Sequence, residues 1–285
     1  MFIVSHFDVE KIFQTIQDNK IAGVPAVPTM YAWFAVYPGL EKYDVSSVDQ
    51  WLAGSSALSG EVREAFEKRF NTKIYDAYGL TETVTGVSMQ RFDRPIKVGS
   101  VGPAVPFVSL SIFDDDWQPL PTGEVGEIAV KGPNVMKGYY KNEEETARVL
   151  RDGWLKTGDM GYLDEDGDLF IVDRKKDLII RGGFNIYPSE VERVLYGHPD
   201  VSDAGVIGVP DKDYGEQVCA IVVLKEGVTA SKKDIQSFCR ERLAKYKIPR
   251  YIEFSDSLPK NDLGKTLRRQ LRVNVNDLVP VGEDS

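Results

Sequence analysis

The sequence predicts a multidomain chain, α/β in its first part and α+β in its last: a parallel α/β subdomain, an antiparallel β-subdomain and a small α+β C-terminal domain. Three observations carry this. Residues 9–80 alternate helix-spaced and strand-like apolar runs, the rhythm of a parallel sheet with crossover helices. Residues 99–172 are short β-rich runs broken by Gly, Pro and Asp turns. After five consecutive charges at 173–177, apolar residues return at helical spacing around two further strands. The divisions read 1–98, 99–172, a joint at 173–177, then 178–275 and a frayed tail at 276–285.

In the first subdomain Val9, Ile12, Phe13 and Ile16 mark a helix over 9–19, and 21–28 is a short apolar strand ending in prolines. A helix over 29–36 follows, with Tyr31, Trp33 and Phe34 on one side. These rings read as helix packing or as one wall of an apolar pocket, Tyr31 being the candidate for the second role. Residues 48–53 form a strand leading into a small-residue loop at 54–57. Val62, Ala65, Phe66 and Phe70 space a helix over 60–71, and the strand 73–77 runs into Tyr78-Gly79-Leu80-Thr81-Glu82. Open parallel sheets bind ligands at the carboxyl ends of their strands, where both of these loops lie.

The second subdomain has strands at Ser109–Phe113 and 127–130. Its acidic runs 114–116 and 164–168 lack the glycine and glutamate spacing of a calcium loop and read as turns. Trp154, Leu155 and Thr157 run extended into Gly158-Asp159, which puts a carboxylate at a strand end. Strands at 161–163 and 168–172 flank the turn 164–167. The charged run 173–177 reads as a short exposed joint, and Gly182-Gly183 allows close backbone approach because no Cβ intervenes. Ser189-Glu-Val-Glu192 has the pattern of a capping box opening a helix over 190–196. Strands at 201–209 and 217–224 and a helix over 232–244 complete the domain.

The net charge of −9 and pI near 5.0 exclude a general binder of nucleic acid or anionic membrane, so an anionic ligand needs a local basic pocket. Cys219 and Cys239 are too few for a disulfide framework or a zinc site and read as packed thiols. No apolar run reaches transmembrane length and no basic-then-apolar leader opens the chain, so a cytoplasmic protein is expected.

Together with Tyr78-Gly-Leu-Thr-Glu82 and the run Pro-Lys-Asn-Asp-Leu-Gly-Lys-Thr-Leu-Arg-Arg at 259–269, the stretch 153–192 resembles the core signature of the adenylate-forming, AMP-binding enzymes. That superfamily includes acyl-CoA synthetases, luciferases and the adenylation domains of peptide synthetases. Arg181-Gly-Gly-Phe-Asn-Ile-Tyr-Pro-Ser-Glu190 is more similar to CoA ligases than to peptide-synthetase modules, and Val27-Pro-Thr-Met-Tyr31 resembles the fatty-acid enzymes. The resemblance implies a ligase: a carboxylate, that of a fatty acid, attacks ATP to give an acyl adenylate and pyrophosphate, and coenzyme A then displaces AMP. ATP/AMP, Mg²⁺ and CoA are the ligands it implies.

It also implies residue roles. Lys265 reaches the α-phosphate and the reacting carboxylate, where a cation offsets the charge gathering on pentavalent phosphorus. Thr81 bonds phosphate oxygen, Glu82 holds Mg²⁺ and Tyr78 stacks on adenine. Gly54, Ser55 and Ser56 supply the other side of that nucleotide pocket, to which Asp76, Ala77 and Gly79 belong. Asp159 clamps the ribose, Arg174 reaches the same nucleotide and Lys176 is the hinge of a mobile C-terminal domain. Gly182, Gly183 and Phe184 line the path of CoA, and Tyr31 lines the acyl pocket. Gly264-Lys265-Thr266 is not a Walker A loop, because Pro259 stands where that motif needs glycine.

One departure stands out. The family's Ser/Thr/Gly-rich loop ending in Pro-Lys-Gly, which cradles the β- and γ-phosphates, is not in the sequence; 54–60 has no lysine. The resemblance therefore covers the C-terminal portion of such an enzyme, with a partial parallel α/β subdomain and a missing N-terminal half as partner. A non-catalytic nucleotide-binding fragment, a split-enzyme partner chain and an acyl-AMP ligase loading a carrier protein stay open as alternatives.

Overall fold

The computed structural model of the chain describes all residues except Ser5, Ala57, Thr85, Asp262, Leu263, Lys265, 272–279 and 282–285. The chain forms two compact units, one of Met1–Thr157 with Gly161–Ile171, the other of Gly158–Met160 with the chain from Val172 onward.

The first unit begins α1 (Val9–Asn19), β1 (Gly23–Ala26), α2 (Pro28–Val36), β2 (Gln50–Ala53), α3 (Gly60–Phe70), β3 (Ile74–Gly79) and β4 (Gly86–Met89). The strands lie in chain order, β1 to β3 parallel and β4 antiparallel on β3. Local chemistry sets the helix ends. Asp8 accepts from Lys11 N at 3.0 Å, Ser59 accepts from Val62 N at 3.3 Å, and Pro28 opens α2, where a missing N–H costs nothing. Phe13, Tyr31, Phe34, Trp51 and Phe66 are fully enclosed between helices and sheet. Tyr31 meets Phe66 edge-on at 4.9 Å, and Trp51 meets Phe66 at 5.0 Å. Such pairs add about 0.5–1.5 kcal/mol each beyond area burial. The pocket-wall role expected of Tyr31 is therefore corrected: its ring has no accessible surface, and its hydroxyl has no hydrogen-bond partner among the described residues. Trp33 leaves the aromatic side of α2 and is 59% exposed.

The same unit carries β5 (Ser109–Phe113), β6 (Gly126–Lys131), α4 (Glu143–Val149), β7 (Leu150–Arg151), most of β8 (Trp154–Leu163) and the first half of β9 (Leu169–Arg174), of which Gly158–Met160 and the residues from Val172 belong to the second unit. The sheet order is β5-β6-β8-β7, with β9 on β8. Gly158-Asp159 thus lies inside a ten-residue strand rather than at its end. The β8–β9 turn brings Asp164, Asp166 and Asp168 together, and the cation they share is Lys97 Nζ, at 2.5, 2.8 and 3.1 Å. Arg94 also pairs with Asp168.

The second unit adds β10 (Ile179–Arg181), β11 (Phe184–Ile186), α5 (Pro188–Tyr196), β12 (Val201–Asp211), β13 (Gly215–Leu224), α6 (Lys232–Arg240), β14 (Tyr251–Phe254) and α7 (Arg268–Leu271). Its sheet runs β11-β10-β13-β12, with β14 parallel on β13. Val191, Leu195, Ile235 and Cys239 from α5 and α6 pack on Val206, Val218 and Ala220 of the sheet; Leu258 and Leu271 join Ile207 and Cys219 in a second cluster.

Several expectations change here. Helix α6 stops at Arg240, short of 244, and the capping box forms at its own start, where Ser231 and Asp234 cap each other's backbone amides. Helix α5 has none. Pro188 occupies its first position, Ser189 Oγ donates to Val172 O at 2.5 Å, and Glu192 turns to Arg268. The amide of Ser189 is satisfied instead by the Asp173 carboxylate, at 2.8 Å. The joint is accordingly not uniformly exposed, since Asp173 is buried while Arg174, Lys175 and Lys176 face solvent. Gly182-Gly183 is the two-residue turn of the β10–β11 hairpin, with φ of +56° and +83°, a conformation that favours glycine. Of the expected frayed tail, only Pro280 and Val281 fall within the described residues. Among the described residues no helix is long and apolar enough to cross a membrane.

Candidate active site

In the first unit the loops after β2 and β3 are neighbours, because their strands are. A Cβ placed on Gly54 would lie 3.6 Å from the carbonyl oxygen of Ala77. The loop Gly54-Ser55-Ser56 therefore starts beside Ala77 of β3. Beyond β3, Thr81–Thr83 form one tight turn of 3₁₀ helix. Buried Thr83 organises it, its hydroxyl donating to Leu80 O at 3.0 Å, which leaves Thr81 exposed and Glu82 half-exposed. Both loops contain a non-glycine residue at positive φ, Ser55 at +75° and Val84 at +64°. The β-branched side chain of Val84 makes the second a strained geometry, of about 1–3 kcal/mol. Strain of this kind gathers where a fold must present groups to a ligand.

Glu82 is anchored twice. Met136 N donates to its carbonyl at 2.7 Å, and Tyr139 Oη donates to carboxylate Oε1 at 3.0 Å. Burial first, then this bond to Glu82, hold the Tyr139 phenol above its ordinary range. Carboxylate Oε2 has no partner among the described residues, so Glu82 offers one hard oxygen, of the kind that fits Mg²⁺, and Thr81 next to it in the sequence is exposed. Asp76 differs from its expected role: its carboxylate faces Arg63 at 2.5 Å, and its backbone exchanges bonds with Gln90. Burial pushes that carboxyl above the usual range although Arg63 pulls the other way. Its side chain braces β3 against α3. Ala77 is likewise a strand residue, paired with Met89.

In the second unit Arg174 Nε lies 3.3 Å from Asp159 Oδ1, so the expected ribose clamp and the arginine expected to reach the same nucleotide are together. The acid is nearly buried and the guanidinium 45% exposed, leaving donors on its outer side. Lys176 is exposed in the single 3₁₀ turn Lys175–Asp177. Phe184 is exposed and stacked on Tyr246 at 4.8 Å beside the Gly182-Gly183 turn. Lys265 lies outside the described residues. Its loop is closed by the Lys260–Thr266 bridge and by Leu267 N donating to Pro259 O at 2.8 Å. Thr83, Tyr139, Asp173 and Arg268 were not anticipated. Each acts on a partner distant in the chain or through a backbone group, which leaves no local pattern.

Comparison with known proteins bears on the family to which the chain belongs. The family model described as AMP-binding enzyme matches residues 1–140, and that described as AMP-binding enzyme C-terminal domain matches 190–265. A long-chain-fatty-acid–CoA ligase of Bacillus subtilis (strain 168) is 46% identical over 272 residues, 95% of this chain and 49% of the relative. A feruloyl-CoA synthase of an Amycolatopsis species is 40% identical, covering 94% of this chain and 55% of its own length. The crystal structure of ATP-bound MatB from Rhodopseudomonas palustris superposes with a TM-score of 0.88 at 35% identity, over 96% of this chain and 55% of that one. The chain thus spans about half the length of the relatives it matches. It belongs to the AMP-binding, adenylate-forming enzyme family.

Proposed function

We propose that the chain is the C-terminal portion of an AMP-forming acyl-CoA ligase, acting on a fatty acid in the cytoplasm. The observation that carries the reading is the 3₁₀ turn after β3, in which Thr81 is exposed and one carboxylate oxygen of Glu82 has no partner among the described residues. The relatives named as CoA ligases support it, and one of them takes a long-chain fatty acid.

In this reading a carboxylate oxygen attacks the α-phosphorus of ATP and the bond to pyrophosphate breaks. Positioning and charge stabilisation do most of that work. Tyr78 stacks on the adenine, Asp159 and Arg174 hold the ribose side, Thr81 bonds phosphate oxygen and Lys265 offsets the charge on phosphorus. Mg²⁺, which Glu82 would hold, neutralises phosphate oxygens when bound. The CoA thiol, led in past Gly182, Gly183 and Phe184, then attacks the acyl carbonyl and AMP leaves. Lys176 is the pivot between the two half-reactions. The loop for the β- and γ-phosphates belongs to the portion of the relatives that this chain does not span.

The test is pyrophosphate release across a panel of carboxylic acids, in a protein that also carries that portion. Release is expected to be fastest with long-chain fatty acids. A maximum with an aromatic acid removes the fatty-acid assignment, and release independent of acid removes the ligase. Lys265→Ala is expected to slow adenylation about 10²–10³-fold, the scale of one lost transition-state donor, and to spare thioester formation from supplied acyl-AMP.

A further inference from the structure

Arg268 stands at the start of α7, just after the lysine-bearing loop, and its guanidinium reaches three carboxylates of the second unit. Nε and Nη2 grip Glu192 at 3.1 and 2.6 Å, while Nη1 lies 3.0 Å from Asp173 and 3.4 Å from Asp177. Asp173 precedes Lys176 and Asp177 follows it, so one cation touches both sides of the proposed pivot. We infer that Arg268 is a positioning residue that fastens the loop 259–267 to the pivot and latches the pivot's two sides together.

The contacts differ in firmness. Asp173 is immobilised, nearly without side-chain exposure, accepting also from Ser189 N and Arg174 N at 2.8 Å each. Glu192 is fixed to β12, where it accepts from Val206 N at 2.9 Å. The Asp177 contact is the longest, and a change of torsion at Lys176 alters the separation of residues 173 and 177. It is therefore the contact that yields, while Arg268 stays on the frame of α5 and β12 through Glu192. At the loop's other end Lys260 pairs with Asp203 at 2.6 Å, also on β12. Burial works against the charge of Arg268, but the three carboxylates outweigh it and hold the guanidinium above its usual range. Only a planar fork makes these contacts at once; an ammonium keeps the charge and loses the bidentate grip.

The effect on rate rests on the ligase reading, whereas the tie itself does not. Arg268→Lys is therefore read in two ways. In the protein with the relatives' remaining portion, kcat for pyrophosphate release is expected to fall about 10–10²-fold through misplacement of the loop, with KM for ATP little changed and the thioester step from supplied acyl-AMP retained. In the chain itself, hydrogen exchange is expected to quicken over 174–177 and 259–267 and to stay unchanged in β12 and β13. Exchange that rises throughout the unit, or not at all, overturns the tie. So does a parallel fall of both half-reactions. A parent protein without acid-dependent pyrophosphate release removes the ligase reading alone, and exchange still decides the latch. If Arg268→Lys does not fold, Asp177→Asn, which leaves the buried contacts in place, is expected to quicken exchange over 174–177 only; unchanged exchange there overturns the latch.

Discussion

One phenol steadies the carboxylate of Glu82. Tyr139 Oη supplies the described side-chain bond to that carboxylate, and the Tyr139 amide is itself held by Thr146 Oγ1 at 2.9 Å. Tyr139→Phe removes one hydrogen bond to a charged acceptor without leaving a cavity. On the ligase reading, in a protein that also carries the relatives' remaining portion, roughly a tenfold loss in kcat/KM for ATP is expected, recovered in part by raised magnesium, as magnesium titrations of initial rate would show. Tyr31 presents the opposite case, a hydroxyl enclosed by rings with no partner among the described residues. Burial pushes that phenol well above its ordinary range. Tyr31→Phe is expected to stabilise the protein by about 1 kcal/mol, measured as a raised urea midpoint at unchanged m-value. The two residues also show what a sequence conceals. Thr81 and Glu82 are adjacent at a strand end and could be read directly. Tyr139 and Tyr140 are neighbours with nothing to say which one turns to an acid 57 residues away. An aromatic helix looks the same whether it lines a pocket or fills a core.

At the scale of the element, the turn between β8 and β9 was legible from its acidic-glycine run, while the group that holds it was not. Lys97 is distant in sequence and sits in a stretch with no period of its own. Burial would raise Asp164, but Lys97 and nearby amides outweigh it and leave the carboxyl below its usual range. A carboxyl depressed by folding contributes stability above its unfolded value. That contribution is lost as pH falls through the folded value, below 3.8. The Lys97 ammonium, raised mainly by its bond to Asp164, contributes below its unfolded value of 10.5 and loses this as pH rises through the folded one. The stability advantage of the parent over Lys97→Met is therefore expected to be flat from about pH 5 to 9 and to shrink at both ends, read from urea midpoints across pH. Helix α5 teaches a related lesson: its Ser-x-x-Glu spacing was real, but Pro188 shifted the helix start and freed both residues for partners elsewhere.

Across the whole molecule, alternation of strand and helix was enough to give the class of fold, because sheet direction follows from connection length and apolar period. Domain-scale contacts such as the Arg268 cluster were not available, since they join carboxylates 76 to 95 residues away. The two thiols report on the second unit. Burial pushes Cys219 up to about 12 and Cys239 up to about 11. Neither is expected to react with a disulfide reagent at pH 8 in the native protein, and both should react once urea unfolds it. A thiol that titrates under native conditions would show the packing around α6 or β13 to be looser than described.

Asp173 has a practical bearing on how the second unit is expressed by itself. A recombinant piece begun at residue 178, straight after the charged run, discards the carboxylate that closes the first turn of α5 and two of the three acids around Arg268. Begun at Val172, the same piece keeps the run's one buried acid, and with it the start of the helix. A truncation placed where the chain looks most disposable would cut through its anchor.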